Sequence, residues 1–135
     1  MLLPHRAIRA AILYVKAGDS AQRRDYVRAR EQIEEVFRLI GPKAERRGLF
    51  YLHLRAAQIS EELGDSNDAL DRARTASILI EANTRLGPAD RSYLLDYCDL
   101  LVGDITGVPV SLLRVGPELT GVKPRYTREY PIVWN

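Results

Sequence analysis

The chain has 135 residues, of which 46% are hydrophobic and 28% are charged, and its formal net charge is +2. These values are typical of a single globular domain and disfavour a disordered or fibrous chain. A net charge so close to zero gives no indication of a polyanionic partner. The longest apolar runs are far shorter than a membrane span, and the opening residues lack a secretory pattern. We therefore predict a cytoplasmic protein without a membrane segment.

Hydrophobic periodicity, capping residues and helix breakers predict an all-α fold with five helices. The expected helices cover residues 4–17, 20–40, 45–63, 66–85 and 89–102. Glycine-proline pairs at 41–42 and 87–88 separate the second helix from the third and the fourth from the fifth. Cys98, the single cysteine, falls within the fifth helix, where we expect a buried and unreactive thiol.

Two stretches of the first half resemble each other. "IRAAILYVKAGDS" at residues 8–20 and "LRAAQISEELGDS" at residues 54–66 share Arg-Ala-Ala and Gly-Asp-Ser at the same spacing. The glycines, Gly18 and Gly64, suit the left-handed conformation that ends many helices, and the aspartate after each can cap the next helix. The sequence therefore predicts two related helix-turn-helix units. In their alignment Ile8 corresponds to Leu54 and Ser20 corresponds to Ser66.

The second unit carries small residues where two helices would meet. Ala69, Ala73 and Ala76 recur along one face of the predicted fourth helix, which allows a neighbouring backbone to approach closely. The segment "ELGDSNDALDRARTA" resembles the turn and second helix of a tetratricopeptide repeat, with Ala57 at the small position of the first helix. The two copies begin 46 residues apart, at Ile8 and Leu54, instead of the roughly 34 of that family. The resemblance implies stacked helical hairpins that bind a peptide or a helix.

The last part of the chain differs in character from the rest. We predict a helical-hairpin domain over 1–103 and an extended tail over 104–135, with room for one β-hairpin between 110–115 and 131–134. The closing "YTREYPIVWN" concentrates aromatic and β-branched residues, which are costly to leave in water. We therefore expect the tail to pack on the helices or on a partner.

The sequence lacks the usual signatures of catalysis and of metal or nucleotide binding. His5, His53 and Cys98 lie in three separate segments, whereas metal ligands commonly come in short helical or turn spacings. Neither of the glycine-rich loops that cradle phosphates occurs. We therefore predict no enzymatic activity, no cofactor and no metal.

These observations favour a non-enzymatic protein-protein interaction module, of adaptor or chaperone type, that binds a peptide or helix in a groove between its hairpins. The predicted lining of that groove is Arg9, Tyr14, Tyr51, His53 and Arg55, with the two arginines at equivalent places in the two units. Two units alone leave apolar ends uncovered, so a homodimer is an open alternative.

Clusters of arginine are the basis of a second alternative, a nucleic-acid-binding accessory protein. The clusters comprise Arg6, Arg9, Arg23 and Arg24, and Arg46, Arg47 and Arg55. The second predicted helix mixes signs, because Arg30 and Arg38 each lie one turn from Glu34, and such pairing is typical of a solvated helix face. Nucleic acid is therefore disfavoured. The capped hairpins are also similar to flagellar and type III export chaperones, small cytosolic bundles that hold a secreted protein.

Overall fold

A computed structural model describes residues 4–42 and 48–107. That part of the chain contains five helices and no strand, which confirms the predicted all-α class. The helices are α1 (Pro4–Gln22), α2 (Tyr26–Ile40), α3 (Phe50–Glu62), α4 (Ser66–Ala82) and α5 (Pro88–Thr106).

Helices that are consecutive in the chain are neighbours in space. The pairs α1–α2 and α3–α4 form two hairpins, α5 packs on α4, and α2 packs on α3 with a smaller contact. The helix α3 is central, since nine of its thirteen residues are buried. Its apolar side chains therefore surround the helix instead of forming one stripe, as is expected of a helix covered on several sides.

The turn of the second hairpin confirms the predicted signals. Gly64 takes φ +79°, in the left-handed region, and so ends α3. The carboxylate of Asp65 then accepts a hydrogen bond from the backbone N–H of Asp68 at 3.3 Å, which caps α4. On the face of α4 that is turned toward the core, Ala69, Ala73 and Ala76 are fully buried, as their spacing predicted.

The turn of the first hairpin was predicted at the wrong place. Gly18 lies inside α1, which continues to Gln22. The left-handed residue is Arg24, at φ +62°, and the cap is Asp25, whose carboxylate accepts from the N–H of Arg28 at 3.3 Å. The helix therefore continues through Gly18, whose missing side chain leaves room for Arg55 of α3.

The structural repeat consequently has a different register from the one the sequence suggested. The backbone N–H of Asp25 donates to Ser20 O at 2.9 Å, and that of Asp65 donates to Ser60 O at 2.8 Å. Positions 20–25 therefore correspond to positions 60–65, a shift of 40 residues in place of 46. In this register Arg55 corresponds to Val15, so its predicted equivalence to Arg9 was wrong.

Other boundaries differ by a few residues. The fourth helix ends at Ala82 instead of residue 85, and α5 continues to Thr106, past the domain boundary predicted after Gly103. The start predicted for the third helix and the predicted tail with its β-hairpin lie in residues 43–47 and 108–135, outside the described residues.

Candidate interaction surface

Three of the five predicted groove residues are buried. Tyr14, Tyr51 and His53 are 5%, 4% and 2% exposed, respectively. The rings of Tyr14 and Tyr51 meet edge to face with their centroids 5.8 Å apart, which joins α1 to α3. In the described structure these side chains stabilise the hairpin contact, and their role in partner binding stays a prediction.

Arg55 completes the contact between α1 and α3. Its Cζ lies 4.8 Å from the centroid of the Tyr14 ring, a cation–π geometry. A Cβ built on Gly18 would overlap Nη1 of Arg55. The glycine therefore provides the space through which the guanidinium of α3 reaches α1.

His53 takes part in a second contact between the hairpins. Its ring lies 5.0 Å from that of Phe37 on α2, measured between centroids, and Arg72 of α4 covers Phe37 with Cζ 4.2 Å from the ring. The Arg72 guanidinium lies 3.4 Å from Nδ1 of His53. Because arginine can only donate, Nδ1 is the acceptor in this contact. His53 is thus a core histidine in a three-helix cluster.

An ion pair links α2 to the cap of α4. Arg30 donates from Nη2 to Oδ2 of Asp65 at 2.5 Å, and it also lies 3.3 Å from Glu34, which confirms one predicted pair. Hydrogen bonding from Arg30, and then from the N–H of Asp68, holds the pKa of Asp65 below its ordinary value. This bridge connects the two hairpins at their solvent-facing side.

The clearest surface feature is an apolar stripe on α1. Ile8, Ile12 and Val15 are 60%, 49% and 61% exposed. Their spacing of four and three residues places them on one face of the helix, opposite the buried Ala10 and Tyr14. A single exposed apolar residue is ordinary, but three adjacent ones on one helix face are typical of an interaction site. We call Ile8, Ile12 and Val15 the α1 stripe.

Cationic side chains border the α1 stripe. A shallow depression of about 440 Å³ is lined by Ile8, Ile12, Leu13 and the flanking His5, Arg9 and Lys16. The first acidic residue of α1 is Asp19, near its C-terminal end. Arg9 lies 3.8 Å from Glu35 of α2, and the Glu35 carboxylate also accepts a hydrogen bond from Arg38. The pKa of Glu35 is lowered mainly by Arg38 and to a smaller extent by Arg9. The α1 stripe is therefore an apolar surface with a basic edge.

Sequence reasoning missed the α1 stripe, although a signal was present. Apolar residues occur on both faces of α1, at positions 8, 12 and 15 and again at 10, 14 and 17, and at about 100° per residue the two sets point in opposite directions. A helix with one neighbouring layer can bury only one of them. A count of apolar residues on each face would have indicated the second surface.

The first hairpin has a polar hollow beside its turn. This hollow, of about 340 Å³, is lined by cationic Lys16, Arg23 and Arg28, by acidic Asp19 and Asp25, and by Ser20 and Gln32. Ser20 donates to Gln32 at 2.7 Å across the hairpin. Carboxylates therefore lie next to Arg23 of the first arginine cluster, which does not form a uniformly positive surface there. Arg46 and Arg47 of the second cluster lie outside the described residues.

Other candidate chemistry is sparse in the described part of the chain. Cys98 is fully buried, as predicted, and burial raises the pKa of its thiol to about 12, which keeps it in the unreactive protonated form. Within residues 4–42 and 48–107 no three potential ligands come together in a way that could hold a metal ion. None of the five described helices combines the length and the apolar character needed to cross a membrane.

Comparisons of this chain with protein-family models, with curated proteins and with solved structures found no match.

Proposed function

We propose that this protein is a non-enzymatic interaction module that binds an acidic, amphipathic helix of a partner protein on the α1 stripe. The observation that carries the proposal is the exposure of three large apolar side chains on one face of a helix whose opposite face is already buried. An apolar helix face in this setting is the surface used when one helix packs against another. The tetratricopeptide resemblance supports the same class of function, at a different surface from the predicted groove.

The basic residues around the stripe favour a partner with negative charge. Arg9 and Lys16 border the stripe on one side, next to His5. A partner helix with leucine or isoleucine at the centre and glutamate or aspartate at its edge would complement both features. Covering Ile12, which is about half exposed, would contribute about 1 kcal/mol, so the three side chains together would supply about 3 kcal/mol. Micromolar affinity corresponds to about 8 kcal/mol, so contacts of acidic side chains with the basic edge and of the rest of the partner helix must add to the stripe.

The same charges disfavour two alternatives. A second copy docked stripe to stripe would bring Arg9 and Lys16 against like charges, which is unfavourable at close range. A nucleic acid would find an apolar centre at the stripe and acidic residues among the arginines of the neighbouring hollow. Phosphate recognition requires a more uniform positive surface.

Photo-crosslinking in the native cell tests the proposal. A benzophenone amino acid replaces Ile12 in one variant and Ile78 in a control, because Ile78 of α4 is 66% exposed. We expect position 12 to yield one discrete protein adduct whose crosslinked segment, mapped by mass spectrometry, is acidic and amphipathic. Equal labelling from both positions, a basic or irregular target segment, or an adduct with nucleic acid would each contradict the proposal.

A further inference from the structure

The outer face of α5 is acidic, in contrast to the basic border of the α1 stripe, and two partly buried apolar side chains flank it. Leu95 and Val102 are partly buried against the core, and the exposed Asp99 lies between them at helical spacing. The whole helix contains four aspartates against a single arginine. We call Leu95, Asp99 and Val102 the α5 face.

Carboxylates are crowded at this face. Partial desolvation of its carboxyl group raises the pKa of Asp99, and the nearby Asp96 and Glu81 raise it further. Like charges held together favour the binding of a cation. A segment that brings arginine together with apolar side chains would therefore satisfy both features of the α5 face.

The chain contains such a segment. Residues 124–135, "PRYTREYPIVWN", carry Arg125 and Arg128 against one glutamate, and they hold Trp134, the single tryptophan of the protein. We propose that residues 124–135 dock in cis on the α5 face, with their arginines toward Asp99 and their apolar side chains over Leu95 and Val102. The inference is independent of the function proposed for α1.

The connection permits this placement. Gly107 ends α5 in the left-handed conformation, at φ +77°, with its N–H donating to Gly103 O, a cap that turns the chain away from the helix axis. Residues 108–123 can span up to about 50 Å when extended, whereas α5 is about 28 Å long. The closing segment can therefore reach any point of α5. The α1 stripe is the less suitable receptor, because its border is basic like the segment itself.

Trp134 allows a direct test, since fluorescence reports on this segment alone. In the full chain we expect emission at a shorter wavelength than that of free N-acetyltryptophanamide, and acrylamide quenching that is several-fold weaker. Asp99→Arg should shift the emission toward that of the free indole. The control Asp71→Arg, at an exposed position of α4, should leave the emission unchanged, and circular dichroism checks that both variants are folded.

Exchanging the charges of the closing segment and of Asp99 tests whether these groups pair with each other. Arg125→Glu with Arg128→Glu should expose Trp134 as Asp99→Arg does, and combining all three changes should restore the short-wavelength emission at least in part. A free indole in the unmodified chain would overturn the proposal. A signal that responds to Ile12→Ser instead of Asp99→Arg would place the segment on α1, and a signal that depends on protein concentration would place it on a second copy. Either result would also overturn the proposal.

Discussion

Arg24 adopts in the first hairpin the conformation that Gly64 adopts in the second. Its φ of +62° is in the left-handed region, which costs a residue with a Cβ about 1–2 kcal/mol. Replacing it by glycine removes this strain but adds freedom to the unfolded chain, which returns about half of the gain. We therefore expect Arg24→Gly to raise the free energy of unfolding by about 0.5–1 kcal/mol.

Urea denaturation of Arg24→Gly and of Gly64→Ala checks this prediction. Gly64→Ala introduces the strain that Arg24→Gly removes. Its free energy of unfolding should therefore fall by about 1 kcal/mol, and its urea midpoint should be lower than that of the unmodified protein. Changes of opposite sign in the free energies of unfolding of the two variants would support the 40-residue register. Destabilisation by both would show that the turns are not equivalent.

Asp65 links stability to pH. Its folded-state pKa lies below the ordinary value because Arg30 and the N–H of Asp68 stabilise the carboxylate. The stabilisation is complete above the unfolded pKa of about 4 and is lost as the pH falls through the folded value. We expect Asp65→Asn, which retains a capping side chain, to show a smaller decrease in unfolding free energy between neutral pH and pH 3.

Arg30→Gln provides the matching test for this ion pair. It should flatten the acid limb of the stability profile in the same way, because it removes the main cause of the lowered pKa. If both variants retain the profile of the unmodified protein, the Arg30–Asp65 pair does not couple folding to pH.

The fourth helix contacts its neighbours through alanines. Ala73 is fully buried in the core, on a helix that packs against both α3 and α5. Ala73→Leu should lower the free energy of unfolding by about 1–3 kcal/mol, because the added atoms force side chains or helices apart. Thermal and urea denaturation measure this loss. Arg74→Leu, at the adjacent exposed position, is the control, and equal stability of the two variants would contradict a close-packed interface.

The contact of α1 with α3 depends on Gly18 and Arg55 together. Alanine at position 18 favours the helix by about 1 kcal/mol, but its Cβ overlaps the Arg55 guanidinium. We expect Gly18→Ala to stabilise the protein in an Arg55→Ala background and to stabilise it less, or not at all, when Arg55 is present. A double-mutant cycle on unfolding free energies measures the difference, and strict additivity would show that the two residues are not coupled.

The two hairpins show what local patterns can and cannot predict. In the second, Gly64 and Asp65 combine the usual helix stop and cap, and the structure uses both. In the first, Gly18 and Asp19 carry the same pattern without its structural consequence, because the need for space near Arg55 is a tertiary effect. The real turn uses Arg24, whose left-handed conformation has no signature in the sequence.

The candidate site differs from its prediction for a related reason. Tyr14, Tyr51 and His53 were predicted to line a groove because they lie on first helices. In the structure Tyr14 and Tyr51 are buried against each other between α1 and α3, and His53 packs against Phe37 of α2 and Arg72 of α4. Which of the two apolar faces of α1 is covered depends on where α2 and α3 pack. Periodicity identifies the two apolar faces of α1, but only the tertiary structure shows which of them is buried and which is exposed.

The molecule as a whole is a short stack with different ends. The first hairpin presents apolar residues with a basic border on α1, and α5 presents apolar residues with acidic neighbours on the other side of the second hairpin. Stacks of few repeats depend on such end helices to limit exposed apolar surface. On this account the α5 face is covered by the chain's own closing segment, and the α1 stripe remains for a partner.

The central claim is that the α1 stripe binds an acidic helix, and calorimetric titration tests it most directly. A synthetic peptide spanning the segment crosslinked at position 12 is titrated into the unmodified protein, Ile12→Ser and the control Ile78→Ser. We predict that Ile12→Ser weakens the affinity about tenfold, equivalent to about 1.4 kcal/mol, and that Ile78→Ser leaves it unchanged. Equal affinities for all three proteins would contradict the assignment of the α1 stripe as the binding surface.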